Sequence, residues 1–289
     1  MTASVEPDIR ALIDLALSED IGTGDITSLA TIPADRTATA VMLAKENGVL
    51  SGIDVAQEVF RTVDPSLEFT ALKHNGERIN DRDDIAVVTG NARSILTAER
   101  TALNFVQRLS GVATITAQYA AAVAGSNTSI VDTRKTTPGM RLLQKRAVMD
   151  GGGRNHRFGL ADGVLIKDNH LAAIGGPNRI AEAVAAARSR APHTLKIEVE
   201  VTSLEELHQA LAAGADIVML DNLDTATMAE AIAIRDASGS SALLEASGGI
   251  TLERLPELAA IGIDLVSAGA LTHSAPSLDI SLNIELDVP

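Results

Sequence analysis

The 289-residue chain contains no cysteine and no tryptophan. Without cysteine there are no disulfides, thiolate metal sites or cysteine nucleophiles, and the composition suits a reducing cytosol. Aromatic residues are only 2%, with one Tyr and four Phe. The core must therefore be built from Ala, Val, Ile and Leu, as in α/β proteins. Positive charge is scarce too: 24 Lys and Arg face 38 Asp and Glu, a net −14. That balance argues against a general nucleic-acid or membrane-surface binder. No apolar run reaches the ~18 residues of a membrane span; the nearest, VATITAQYAAAVAG, is short and carries Thr and Gln. The N-terminal MTASVEPDIR brings Pro and acids early and lacks the apolar core of a signal peptide. The expectation is a soluble cytoplasmic protein of one large or two medium domains.

What positive charge there is gathers in one place. TRKTTPGMRLLQKRAVMDGGGRNHR, residues 133–157, holds seven Arg or Lys against one acid, Asp150. From about residue 126 onward, strand-like and helix-like segments alternate. SIVDTRK, DGVLIKDN, TLKIEVEV, ADIVMLDN, ALLEASGG and IDLVSAGA read as six strands. Ser203, with Glu206 three residues on, reads as a helix start, and Gly214 as a stop. This is the βα repeat of a parallel sheet, and with no GxGxxG after the first strand it favours a barrel over a doubly wound sheet. The first ~100 residues, with their β-type pieces and few helices, suggest a separate α+β domain. The segment 94–124 reads as helix broken at SGV, 110–112, and the tail LDISLNIEL as a strand returning to the first domain.

In a parallel barrel, chemistry sits at the carboxyl ends of the strands. Here those ends carry Asp132, Thr133, Arg134 and Lys135; Lys167 and Asp168; Glu198 and Glu200; Asp221 and Asn222; Glu245, Ser247, Gly248 and Gly249; and Ser267, Ala268, Gly269 and Ala270. Small turns after the last two strands let backbone N–H groups approach a phosphate. Neighbouring carboxylates suit ribose hydroxyls or Mg²⁺, and clustered Arg and Lys suit carboxylates or pyrophosphate. The implied ligands are a phosphorylated sugar and a second, multiply anionic molecule.

Plainer readings stand beside these. Arg141 and Lys145, one helical turn apart, read as a solvated face. GGGRNH is compatible with a flexible loop, Asp221 with a cap for the next helix, and one of Glu198 and Glu200 with a partner for a rim lysine. Arg100 reads as a helix-surface ion-pair residue, and His74, His193 and His208 as bystanders. Lys167 on an apolar strand is harder to treat as inert, because an unpaired buried Lys is costly. A Schiff-base aldolase using Lys167 and a polyanion-binding module are the rivals from other classes.

Taken together, TAERTALNFVQRLSGVAT, DTRKTTPGMRLLQKRAV, GGGRNHRFGLADGVLIKDNH, EVEV, MLDN, EASGGI and SAGALTHS resemble the quinolinate phosphoribosyltransferases, also called carboxylating nicotinate-nucleotide pyrophosphorylases. The likeness runs from about residue 8 to 280. It implies an N-terminal α+β open sandwich, residues 1–107 with the tail 276–289, and a C-terminal, incomplete, seven-stranded TIM-like α/β barrel over 108–275. It also implies a homodimer at minimum, Mg²⁺, and conversion of quinolinate and phosphoribosyl pyrophosphate to nicotinate mononucleotide, pyrophosphate and CO₂. A paralogous pyrophosphorylase for a different acid is the nearest alternative. By position, Arg134, His156, Arg157 and Lys167 would surround quinolinate, with Thr133 and Lys135 beside them and Arg100 lent by the neighbouring subunit. Glu200 and Asp221 would hold ribose hydroxyls and Mg²⁺. Ser247, Gly248, Gly249, Ala268, Gly269 and Ala270 would cradle the 5-phosphate, and Lys135, Lys167, Glu200 and Asp221 would carry the catalysis.

Overall fold

The computed structural model describes residues 7–286, which fall into two compact units. Unit 1 takes the chain up to Ala117, then Thr137–Gly152 and the part from Leu271 onward. Unit 2 takes Gln118–Thr136 and Gly153–Ala270.

Unit 1 is built on β1 (Thr37–Ala44), β2 (Gly48–Val49), β3 (Glu68–Ala71), β4 (Arg78–Ile79), β5 (Asp84–Asn91) and the C-terminal β12 (Ile280–Leu286). Four of them form an antiparallel sheet in the order β12-β1-β5-β3. Alternation along β1 sends Ala38, Ala40, Met42 and Ala44 into the core while the residues between them stay more open. The tail returns as expected, with Ala40 opposite Ile284 and Met42 opposite Leu282. Helix Ile53–Val63 buries Val55, Ala56, Val59 and Phe60, one apolar stripe at helical spacing.

Two expectations fail in this unit. The helix Ala92–Ala122 runs through SGV without a break. Gly111 is there for space, not to end the helix: a Cβ built on it would lie 1.8 Å from the Pro276 carbonyl oxygen. The returning segment is tied to the same helix, since Leu278 N–H donates to Gln107 O at 2.9 Å and Gln107 Nε2 to Ile280 O at 2.7 Å. The second failure is Lys145, which is 1% exposed and so lies on no solvated face. Its helix, Arg141–Asp150, also buries Leu143, Gln144, Ala147 and Val148, and ends at Gly151, where a Cβ would meet Ala113 O at 2.3 Å. Residues 137–152, inside the stretch assigned above to the barrel, thus pack into unit 1.

Unit 2 holds β6 (Ser129–Val131), β7 (Val164–Ile166), β8 (Ile197–Val201), β9 (Ile217–Asp221), β10 (Leu243–Ser247) and β11 (Leu265–Ser267). They form a parallel sheet in the order β6-β11-β10-β9-β8-β7. Strands of such a sheet are covered on both faces, and Val199, Val218, Leu220, Leu244 and Val266 are wholly buried. The described strands number six, as the residues indicate, and not the seven implied by the resemblance. The seventh place is reduced to one bridge between Val131 and Arg154. The glycine-rich run before Arg154 lacks β-branched side chains and has too much backbone entropy to lose to sustain a longer strand. Ser203 caps its helix by accepting from Glu206 N–H. Asp224, and not Asp221, caps the helix after β9. Asp221 is thereby left at the strand end. Among the described residues no helix is long and apolar enough to cross a membrane.

Helix propensity favours Ala over Gly by about 1 kcal/mol, whereas overpacking a closed site costs about 1–3 kcal/mol. Gly111→Ala is therefore expected to lower the urea midpoint of unfolding. A raised midpoint would show that the Pro276 segment gives way freely.

Candidate active site

The carboxyl ends of the parallel strands surround a cavity of about 650 Å³ in unit 2. Thr133, Arg134, Lys135, His156, Arg157 and Lys167 line it. Glu200, Asp221, Ser247, Gly248 and Gly249 line it as well. Eleven positions singled out from the sequence therefore share one space. Arg100, Ala268, Gly269 and Ala270 are not among its lining residues. Arg100 lies in unit 1 on helix Ala92–Ala122, exposed, with Glu99 at 4.0 Å. Ala268 N–H is spent on Val131 O at 3.1 Å, and Ser267 takes the place at the cavity wall.

The cationic side is fixed from below by Asp132, which is fully buried where β6 ends. Its Oδ1 accepts the His156 backbone N–H at 2.9 Å, and its own N–H donates to Arg154 O at 3.1 Å. The strand end and the 154–157 segment are thus stitched together, and Arg134 and Arg157 come side by side. Burial lowers the pKa of Arg157 and the charge of Arg134 lowers it further. Arg134 Nε is buried with no hydrogen-bond partner. Arg157 donates to Gly163 O at 3.1 Å, so the unmet donor is on Arg134, and an anion between the two guanidiniums would complete the arrangement.

Lys167 leaves β7 and pairs with Glu200 from β8, Nζ to Oε2 at 2.5 Å. The Glu200 side chain is 10% exposed and that of Lys167 43%, so the carboxylate is shielded while the lysine, read from the sequence as buried, reaches the open cavity. This ion pair occupies the amine that a Schiff-base mechanism would need free. Glu198, two residues before Glu200, enters the same interior and accepts from His156 Nε2 at 3.0 Å. His156 Nδ1 accepts the Arg157 N–H at 2.7 Å, which leaves the ring proton on Nε2. Glu245 lies 3.6 Å from the same Nε2 and is fully buried. Its pKa is pushed up to about 7, first by burial and then by Glu198, with His156 acting in the opposite sense.

On the other side, Asp221 accepts from Asn222 Nδ2 at 2.7 Å. Asn222 has φ +56°, a left-handed backbone that Asn tolerates. Its N–H donates to Ser247 O at 2.9 Å, which joins the ends of β9 and β10. Gly248 has φ +84°, and a Cβ there would meet Asn222 Oδ1 at 2.2 Å. Position 248 therefore favours glycine both in backbone and in space, as suits a loop that presents its backbone to a ligand.

Site residues that the sequence reading had not assigned are Leu165, Met219, Asn222, Glu245 and Ser267. Glu245 and Ser267 were visible as strand-end polar residues. Leu165 and Met219 are ordinary apolar strand positions, and nothing in a single sequence marks them as cavity walls.

A parallel α/β barrel whose rim joins a cation cluster, two carboxylates and a glycine turn defines an enzyme that handles phosphorylated and carboxylated anions. The family models for the quinolinate phosphoribosyl transferase N-terminal and C-terminal domains match residues 25–110 and 112–283. The chain belongs to the quinolinate phosphoribosyltransferase family. It is 44% identical over 268 residues to a probable nicotinate-nucleotide pyrophosphorylase [carboxylating] of Synechocystis, covering 93% of this chain and 90% of that protein. A Bacillus subtilis protein with the same description is 43% identical, with 96% and 94% covered. Among solved structures, NadC from Streptococcus pyogenes is similar with a TM-score of 0.92 at 40% identity, over 99% of this chain and all of that one. The nicotinate-nucleotide pyrophosphorylase of Francisella tularensis gives 0.89 at 42%, over 98% of each chain.

Two neighbouring glycines offer a controlled comparison. Gly249 also has positive φ, +59°, but its Cβ would meet nothing within 4 Å. Gly249→Ala is expected to lose only about 1–2 kcal/mol for the left-handed backbone. Gly248→Ala is expected to lose about 1–3 kcal/mol beyond that from the Asn222 overlap. Urea unfolding of the two variants side by side checks the difference, and equal losses would contradict the packing argument.

Proposed function

We propose that this chain transfers the phosphoribosyl group of phosphoribosyl pyrophosphate to quinolinate, with decarboxylation, to give nicotinate mononucleotide, pyrophosphate and CO₂, and that it does so in the cytoplasm at the entry of quinolinate into NAD synthesis. The observation that carries this reading is the pair Arg134 and Arg157, half-buried side by side with Arg134 Nε buried and unpartnered, in a cavity that Lys135 and Lys167 also line. A planar dicarboxylate fits that requirement, since guanidiniums grip carboxylates in a bidentate fork. Names and matched domains of the relatives point to the same acid.

On this reading Arg134, Arg157 and Lys167 hold the carboxylates, with Thr133 and Lys135 beside them. His156 forms a wall whose two ring nitrogens are already engaged. The 5-phosphate lies against the Ser247–Gly249 turn, with the Ala268–Ala270 segment next to it. Breaking the C1–pyrophosphate bond places positive charge on the ribose, which Glu200 and Asp221 stabilise, and negative charge on the leaving group, which Lys135 faces. The pyridine nitrogen then bonds to C1. The carboxylate next to that nitrogen departs as CO₂, its electron pair stays on the ring carbon, and a proton replaces it. A tight grip on the departing carboxylate would oppose this step, so the stronger clamp belongs on the carboxylate that remains.

Glu200 and Asp221 offer hard oxygen donors at one cavity wall, a set that fits Mg²⁺ shared with substrate phosphates. When bound, Mg²⁺ would supply neutralisation of pyrophosphate charge. Arg100, with 60% of its side chain exposed, is free to serve the site of a second copy of the chain in a homodimer.

Lys167→Ala and Arg134→Ala are each expected to lower kcat/KM by about 10²-fold or more, the usual scale for a preorganised charge. Either variant keeping full release of CO₂ from quinolinate would remove that residue from the assignment. The dimer reading has its own check. Arg100→Ala and Lys167→Ala proteins, each inactive, are expected to recover about a quarter of wild-type activity after mixing and subunit exchange, because a mixed dimer regains one intact site of two. No recovery in a mixture shown to have exchanged subunits would mean that Arg100 acts within its own chain or not at all.

A further inference from the structure

Beneath the clamp the structure holds more acid than it can pair. His156, Glu198 and Glu245 bring one ligand-type atom each within 4.8 Å of one another. The ring presents one N–H, at Nε2, because Nδ1 accepts from Arg157. That N–H faces Glu198 at 3.0 Å and Glu245 at 3.6 Å. Glu198 is thus the nearer partner, and both oxygens of Glu245 are buried without a well-formed hydrogen bond, with only the Ser267 hydroxyl named beside them. Two buried carboxylates that share one N–H, with a single hydroxyl beside one of them, do not both stay ionised.

The geometry points to Glu245 as a positioning residue that forms the uncharged floor of the quinolinate pocket, so that dianion binding is linked to retention of a proton on its carboxyl. This rests on the reading of the pocket given above. The charged groups close to Glu245 are Glu198 on β8, His156 from the 154–157 segment and Lys167 after β7, while β11 contributes only the Ser267 hydroxyl. Across the cavity stand Arg134, Lys135 and Arg157 against Glu200 and Asp221. Glu245, Glu198 and His156 also line a second cavity of about 250 Å³. The upward displacement of the Glu245 pKa to about 7 agrees with the geometry and sets the window. Below about pH 7 Glu245 is neutral and the floor carries no added charge; above it, the ionised carboxylate repels the dianion. Quinolinate carboxyls are ionised throughout this range, so the change belongs to the protein.

Calorimetry of quinolinate binding to the intact enzyme tests this. Wild-type affinity is expected to fall about tenfold between pH 6 and 8.5, the effect of about one unit of pKa coupling, with net proton uptake near pH 7.5 read from buffers of different ionisation enthalpy. Glu245→Gln, permanently neutral, is expected to bind with an affinity flat in pH and without proton uptake. A Glu245→Gln profile that tracks wild type, or one that is lower at every pH, overturns the inference. Should that variant not fold, absence of proton uptake in the wild type overturns it alone. Arg134→Ala separates the two readings. If it binds quinolinate normally, the pocket assignment is wrong; if it does not bind and the wild type takes up no proton, only the role of Glu245 fails.

Discussion

The arrangement depends on holding like charges together in a poorly hydrated space. Arg134 and Arg157 repel each other, and partial burial deprives Arg157 of water. Left to themselves they would splay toward solvent. They stay because Asp132, fully buried, ties the end of β6 to the segment that carries His156 and Arg157. The single bridge between Val131 and Arg154 holds that segment to the barrel edge. What remains of a seventh strand is small, yet it delivers His156 and Arg157 to the cavity.

The order of strands around the sheet sorts the chemistry. Because β6, β11, β10, β9, β8 and β7 are parallel, all their carboxyl ends meet at one rim. Cations come from the ends of β6 and β7, carboxylates from β8 and β9, and the glycine turn from β10. One wall can thus hold an acid while the opposite wall holds a phosphorylated sugar. The basic run that stands out in an acidic sequence is in part the wall of this pocket, through Arg134, Lys135 and Arg157. Its middle, Arg141 to Asp150, packs into unit 1. Net acidity elsewhere leaves the pocket as the local sink for anions.

Much of this was legible in the residues. Period and spacing gave the six strands of unit 2, Ser203 gave a helix start, and the alternation of LDISLNIEL gave the returning strand. Charged strand ends gave most of the cavity wall. Local reading misled where tertiary packing decides. Gly111 reads as a helix breaker because a sequence does not show the Pro276 carbonyl lying against it. Lys145 reads as solvated because its helical spacing is that of a surface pair, whereas its neighbours Leu143 and Ala147 mark a buried helix. Glu245 was visible only as one more strand-end acid: inside LLEAS it becomes informative once His156 and Glu198 are seen to meet it.

The lysine that read as hard to treat as inert now has a partner, and the partner limits what it can do. Lys167 Nζ is held at 2.5 Å by Glu200, which is itself mostly buried. One ammonium does not satisfy that carboxylate and a substrate carboxylate equally well, since each is strongest as a short, direct pair. On the proposed reading, quinolinate arriving at Lys167 draws the ammonium from Glu200, and Glu200 then has an oxygen to offer ribose or Mg²⁺. On that reading the two halves of the cavity would share this ion pair. A pocket with four cations and no such counter-charges would be costly to fold. One that kept every pair unchanged after binding would hold the acid without preparing the sugar side.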